Sequence, residues 1–368
     1  MTLRPLSAVV MAAGAGTRMR SVLPKPLHPL CGRPLLLHTL DALSELLVDR
    51  VVVVVGHGAE PVTKMLQEHG PHDLLIDFVE QHVQRGTGDA ASVALTAFPD
   101  DDDDDDIVVM PGDTPLVRPA TLAELVAHHR QADAVATLLT ARVDDPTGYG
   151  RVVRDKEDRV RRIVEEVDAT EAERQIDEVN TSLYCFRRSM LAPALRRLSP
   201  ENAQGEYYLT DVVAVLAEAG HRVAAHTAED RSEIFGVNDR IQLAQAEAEL
   251  RERINDRWMR AGVTIVDPAR TAIDFSVRLA SDVTIQPGTT LQGRTVVGAG
   301  VRLGPHVRLV DCAVGEGAIV EETVGQDAEI GPNSVVGPFA ALGPGTHIAE
   351  GVRTGPFYTA PTADDESV

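Results

Sequence analysis

The chain has 368 residues, 43% hydrophobic and 25% charged, a globular composition long enough for two hydrophobic cores. Its formal charge of −21 and aromatic share of 4% argue against nucleic acid or anionic lipid as the main partner. Such a surface repels polyanions at long range, and few rings are available to stack on bases. Three widely separated cysteines, Cys31, Cys185 and Cys312, make neither a disulfide framework nor a CxxC metal site and suit a reducing cytosol. The N-terminus shows no basic stretch leading into an apolar segment and cleavage site. No run approaches the roughly 18 apolar residues of a membrane span. A cytoplasmic protein without membrane insertion is expected.

Ser7 to Met11 reads as a first strand. It leads into Ala12-Ala13-Gly14-Ala15-Gly16-Thr17-Arg18-Met19, followed by Pro24-Lys25-Pro26. A glycine-rich turn after a strand turns backbone N–H groups toward phosphate oxygens. The third glycine of GxGxxG is missing, so this is not a dinucleotide fingerprint, and no GK[ST] makes it a P-loop. What it adds is Arg18 and Lys25, two cations able to neutralise a triphosphate and the charge that builds on a transferring phosphoryl group. A structural turn with surface cations is the plain alternative.

Helical patterns over residues 34–47 and 59–69 alternate with the strand Val51 to Val55, whose unbroken valines suit burial on both faces. Alternation of this kind predicts an α/β fold, a Rossmann-like, mostly parallel sheet with helices on both faces. Gln81 offers an amide donor and acceptor to a pyrimidine edge, or is a surface glutamine. Seven consecutive aspartates, Asp100 to Asp106, contribute a third of the net charge and read as a solvated surface turn before the strand Ile107 to Met110. Asp113 follows that strand, where ligands of open α/β sheets gather, and is a hard oxygen ligand suited to Mg²⁺ or else a turn aspartate. By themselves, Glu165 beside Glu166 reads as a solvated glutamate and Asn180 after Val179 as a turn residue. Asn238 is either a site residue or the N-cap of the helix that follows.

Residues 239–261 predict one long helix with an apolar stripe of Ala246, Leu250, Ile254 and Trp258, taken as an interdomain connector. From Ile285 an aliphatic residue recurs every six positions at Leu291, Val297, Leu303 and Leu309. After a slip it resumes at Val314 and Val320, and after a second it runs through Val324, Ile330, Val336, Leu342 and Ile348. This hexapeptide repeat predicts a short left-handed parallel β-helix. The expected layout is an α/β domain at 1–238, a connector at 239–262, the β-helix at 263–357 and a disordered acidic tail at 358–368.

The loop GxGTRM…PK is the signature of the sugar-1-phosphate nucleotidyltransferases. Gly86-Thr87-Gly88, Gly112-Asp113-Thr114-Pro115-Leu116, Asp144 to Arg151, Glu178-Val179-Asn180-Thr181, Asn202 to Asp211 and Gly236-Val237-Asn238 follow in order. Across roughly residues 5 to 357 the chain resembles the bifunctional family that joins an N-acetylglucosamine-1-phosphate uridyltransferase to a glucosamine-1-phosphate acetyltransferase. The resemblance implies Mg²⁺-dependent uridylyl transfer from UTP to N-acetylglucosamine 1-phosphate, in a homotrimer built through the β-helix. It implies that Met11, Ala12, Ala13, Gly14, Lys25, Gly112 and Asp113 hold the nucleotide, and that Gln81, Gly86 and Thr87 hold its base. It further implies that Gly150, Glu165, Asn180 and Asn238 contact the sugar, that Asp113 and Asn238 bind magnesium, and that Arg18 and Lys25 act on the phosphates. Three positions depart from the family: Pro111 replaces an aromatic residue, Ser182 a glycine and Asp89 a frequent histidine. They keep open thymidylyl or other nucleotidyl transfer to a different hexose 1-phosphate. A non-catalytic nucleotide-sugar-binding scaffold is the third reading. The segment Gly337 to Gly345 carries no arginine where the family places one for the sugar phosphate, and no counterpart of its catalytic histidine region follows, so acetyltransferase activity is expected to be lost.

Overall fold

The computed structural model describes residues 4–56, 59–99 and 105–360. The chain divides into two compact units, residues up to 28 with 34–243, and 29–33 with 244 onward.

The first unit is built on a nine-stranded sheet. Its strands are β1 (Leu6–Ala12), β2 (Arg50–Gly56), β3 (Ile76–Gln81), β4 (Asp106–Pro111), β5 (Ala136–Arg142), β6 (Arg151–Arg154), β7 (Val160–Val164), β8 (Glu178–Arg187) and β9 (Val223–Thr227). The spatial order is β9-β5-β8-β4-β1-β2-β3, with β6 on β8 and β7 on β6. β4, β1, β2 and β3 run parallel, while β8 runs antiparallel to both β4 and β5. The sheet is therefore mixed.

The valine run behaves as its composition requires. Val51, Val53 and Val55 belong to one core cluster and Val52 and Val54 to the other, because successive strand side chains point to opposite faces. One face is covered by α1 (Leu35–Ser44), α2 (Glu60–His69) and α4 (Pro119–Gln131). The other is covered by α3 (Thr87–Leu95), α5 (Arg188–Leu195) and α6 (Asp211–Glu218). The chain leaves β1 toward β2 and β3 on one side and returns to β4 on the other. The C-terminal ends of β1 and β4 thus flank the crevice where open α/β sheets bind ligands.

The aspartate run differs from its sequence reading. Residues 100–104 lie outside the described residues, but Asp105 and Asp106 are buried rather than solvated. Asp106 is fully buried, accepts from Arg130 Nε at 2.7 Å, and lies 3.5 Å from both Arg4 and His129. Asp105 pairs with Arg188 and accepts from Ser7 Oγ at 2.9 Å. A buried carboxylate persists only when paired, and here four cationic or ring-nitrogen groups converge on the start of β4.

The second unit contains the helix α7 (Arg240–Arg260), from Ala244 onward, and three parallel sheets of five short strands each, consistent with a left-handed β-helix. Ala246, Leu250 and Ile254 form the buried stripe of α7, and Trp258 is half-buried. Buried Asn255 on the same helix donates to the carbonyls of Pro268 (3.0 Å) and Thr271 (3.2 Å). Residues 29–33 join this unit through Cys31, whose N–H donates to Glu247 Oε2 at 2.7 Å.

Ile285, Leu291, Val297, Leu303 and Leu309 point inward as the repeat predicts. Two details differ. The array begins earlier, because Ile265, Ile273 and Leu279 occupy interior positions before Ile285. After Val320 the side shortens, so Val324 is 53% exposed and Gly325 takes the interior place opposite Leu309. A Cβ on Gly325 would lie 2.9 Å from Leu309 Cδ2 and 3.3 Å from Cys312 Sγ, so a larger residue there would have to displace both side chains. Buried Thr289, Thr295 and Ser334 donate their hydroxyls to the carbonyls of Gln286, Gln292 and Gly331, which removes the cost of burying them. The last coil reaches Ala360, which bonds back to Ala341, so the described part of the expected tail is packed. Residues 361–368 lie outside the described residues.

Candidate active site

A cleft of about 580 Å³ opens at the C-terminal ends of β1, β3 and β4, wholly within the first unit. Met11, Ala12, Ala13 and Gly14 form its floor as β1 gives way to the glycine loop. A Cβ on Gly14 would meet nothing within 4 Å, so the open space above it belongs to the cleft. Gly16 is required by the fold: its φ is +60°, and a Cβ there would come 2.8 Å from Lys25 Cβ. Buried Met19 anchors the short turn that carries Arg18.

The two cations converge on one pair of oxygens. The Lys25 ammonium pairs with Asp113 Oδ2 and donates to Asn238 Oδ1 at 3.2 Å. Arg18 Nη2 donates to the same Asn238 oxygen at 3.0 Å. The Val237 N–H donates to the Asp113 carbonyl at 2.8 Å, which ties the two segments together. Asn238 does not cap α7. Asp239 takes that role, accepting from the N–H groups of Ile241 and Gln242 at 2.9 and 2.8 Å. Asn238 is left with its side chain in the cleft. Gly112 lies beside it, its N–H bonded to the Met11 carbonyl at 2.9 Å, and Pro111 closes the end of β4.

The opposite wall is formed after β3. Gln81 is 4% exposed, not a surface residue, and donates Nε2 to the Gly86 carbonyl (3.2 Å) and to Asp89 Oδ2 (2.8 Å). Gly86 has φ +108°, and a Cβ there would lie 2.6 Å from the Tyr207 carbonyl. Thr87 opens α3 and accepts from the Leu209 N–H at 3.0 Å. Sequence reasoning missed Gln84, whose Nε2 donates to the Ala13 carbonyl at 2.5 Å, as well as Tyr149, Glu206 and Gln242 on the cleft wall. The only signal for Gln84 is its place between Gln81 and Gly86.

The third wall comes from β8. A bulge between Asn180 and Tyr184 sets Ser182 at φ +62°, a conformation suited to glycine. Asn180 is buried within the strand rather than in a turn. Its N–H donates to the Gly150 carbonyl at 2.8 Å and its Nδ2 to the Tyr184 hydroxyl at 2.7 Å. Its Oδ1 has no partner among the described residues. Gly150 and Glu165 are not among the residues lining the cleft; they stand behind Asn180. Glu165 is not solvated. Burial raises its carboxyl above the usual range, opposed by a hydrogen bond from Thr210 Oγ1 at 2.9 Å and reinforced by the charges of Asp211 and Asp168. Glu166 instead pairs with the buried Arg151 at 2.7 Å.

The nucleotidyl transferase family profile matches residues 7–260, more than half of the chain. The chain belongs to the nucleotidyl transferase family. Within it, the bifunctional protein GlmU of Thermobifida fusca (strain YX) is 49% identical over 88% of this chain and 67% of its own length. The bifunctional protein GlmU of Heliobacterium modesticaldum is 45% identical over 95% of this chain and 75% of its own. That of Streptomyces avermitilis is 45% identical over 98% and 74%. The family's cation-bearing glycine loop and the cleft it faces make this chain a sugar-1-phosphate nucleotidyltransferase of the kind its motifs indicated. Among the described residues, no helix is long and apolar enough to cross a membrane, and no group of three or more His, Cys, Asp or Glu could hold a metal ion.

Proposed function

We propose that the chain transfers a uridylyl group from UTP to N-acetylglucosamine 1-phosphate, giving UDP-N-acetylglucosamine and pyrophosphate. The observation that carries this reading is the meeting of Arg18, Lys25, Asp113 and Asn238 at the mouth of the glycine loop. Met11 to Gly14, Gly112 and Lys25 hold the triphosphate, and Gln81, Gly86 and Thr87 hold the base. Asn180 and Asn238 contact the sugar, with Gly150 and Glu165 supporting Asn180 from behind.

Asp113 and Asn238 already direct two oxygens at one cation, the Lys25 ammonium, and so fit a divalent ion. Mg²⁺ takes one or two carboxylates and completes its shell with phosphate and water, which a site with the single carboxylate of Asp113 could satisfy. When bound there, Mg²⁺ would shield the triphosphate and draw charge from its oxygens. Lys25 would then release Asp113 and, with Arg18, hold the negative charge that grows on the phosphoryl oxygens. The sugar phosphate is already an anion, so it attacks the α-phosphorus without a protein nucleophile. A new P–O bond forms as the bond to the β-phosphate oxygen breaks, and pyrophosphate carries off the electron pair. The protein's contribution is alignment and preorganised charge.

Pro111 and the φ +62° Ser182 on the cleft wall favour a second reading, in which dTTP or another hexose 1-phosphate is preferred. Pyrophosphate release measured across UTP, dTTP and CTP, each with several hexose 1-phosphates, separates the two; the first reading predicts UTP with N-acetylglucosamine 1-phosphate. We also propose a cytoplasmic homotrimer associated through the β-helix, without acetyl transfer from acetyl-CoA, because residues 337–345 supply no arginine for a sugar phosphate.

A further inference from the structure

We propose that Asp89 locks the side-chain amide of Gln81 so that an acceptor faces the cleft. The site then selects a pyrimidine with a hydrogen on N3, uracil or thymine, over cytosine. This rests on the proposed nucleotide site. The orientation of a glutamine amide is set by its hydrogen-bond network, and here the network allows one answer. The same terminal atom of Gln81 lies 3.2 Å from the Gly86 carbonyl and 2.8 Å from Asp89 Oδ2. A carbonyl and a carboxylate only accept, so that atom is the NH₂. Turning the amide over would set Oε1 against both of them in a residue that is 4% exposed. Oε1 is therefore held on the other side of the amide, in a residue that lines the cleft.

Uracil and thymine carry N3–H, which donates to such an oxygen. Cytosine presents an unprotonated N3, which would face it lone pair to lone pair. A site built to receive a hydrogen bond rejects the analogue that cannot give it, because the polar groups stay unpaired. Asp89 is a positioning residue here, acting through Gln81. The carboxylate matters because it only accepts, whereas its isostere asparagine offers both a donor and an acceptor and so can pair with either face of the amide. Asp89 lies in the first turn of α3.

The test is calorimetric titration of the full chain with UTP, CTP and inorganic pyrophosphate, with Mg²⁺ present, for the native protein and Asp89→Asn. The native protein should bind UTP roughly 10- to 100-fold more tightly than CTP. In Asp89→Asn that ratio should fall at least about threefold through weaker UTP and stronger CTP binding, while pyrophosphate, which has no base, binds as before. Equal binding of UTP and CTP by the native protein overturns the proposal. So does an unchanged ratio in Asp89→Asn, or a parallel loss of pyrophosphate binding. Base selectivity lost in Asp89→Asn, in a protein that releases no pyrophosphate with any sugar 1-phosphate, would support the role of Asp89 and sink the proposed transfer.

Discussion

Lys25→Met separates a structural ion pair from a catalytic cation. The Lys25 and Asp113 side chains are 14% and 18% exposed, and the ammonium also donates to Asn238. Losing these bonds and leaving the Asp113 carboxylate without its cation should cost about 1–2 kcal/mol of stability. For a unit of this size that lowers Tm by roughly 2–8 °C. Replacing Asp113 as well, in Lys25→Met/Asp113→Asn, removes the stranded charge and should return most of that loss, since deleting both partners is milder than deleting one. Turnover should behave differently. A cation aimed at charge that develops in the transition state is worth about 2.7–4 kcal/mol, or roughly 10²–10³ in kcat. Both variants should therefore be deeply impaired, with kcat falling more than KM rises. Thermal unfolding and initial rates of pyrophosphate release measure the two effects on the same preparations. If the double variant regained turnover together with stability, or if Lys25→Met kept kcat within threefold of native, the cation would be structural and the argument would fail.

Asp106→Ala should lower stability by about 3–5 kcal/mol, because it leaves Arg130 beside His129 without their buried counter-charge; a Tm change below 1 °C would refute this. Burial pushes the Asp106 carboxyl up, but the neighbouring His129 ring, the hydrogen bond from Arg130 and the Arg4 charge outweigh it and hold the group below the usual carboxylate range. Its folded pKa is depressed, so its stabilisation is present above the ordinary aspartate pKa of about 4 and is lost as pH falls through the folded value. The stability gap between native protein and Asp106→Asn in urea unfolding should therefore be constant above about pH 4, narrow as pH falls below it, and close only below the depressed folded value. Light scattering of the full chain should give three times the chain mass, and a monomer would remove the assembly proposed through the β-helix.

The readable parts of the sequence were those with a period or a punctuated loop. Five valines in a row, a glycine turn bearing Arg18 and Lys25, and aliphatic residues six apart each carry one physical meaning. The reading slipped where one residue's environment is set by distant chain. Asp105 and Asp106 look like the end of a solvated run, yet Arg188 from α5 and Arg130 from α4 draw them into the sheet. Val324 matches the six-residue count, but the shortened coil turns it outward and puts Gly325 inside. Gln84 gave only its place between Gln81 and Gly86, and Tyr149 only its place in the segment Asp144 to Arg151, because they matter only once β1, β3 and β8 bring their loops to one cleft. Asn238 was legible as a choice between cap and site, and Asp239 settles the cap.

The central claim is nucleotidyl transfer at the cleft where Asp113 and Asn238 face Lys25. Its most direct test is the release of pyrophosphate by the purified chain with UTP, N-acetylglucosamine 1-phosphate and Mg²⁺, each omitted in turn, with Asp113→Ala run beside it. The account predicts release only when all three are present, accumulation of an equal amount of UDP-N-acetylglucosamine, and loss of at least about two orders of magnitude in Asp113→Ala. Release that proceeds without the sugar phosphate, or undiminished turnover in Asp113→Ala, would contradict it.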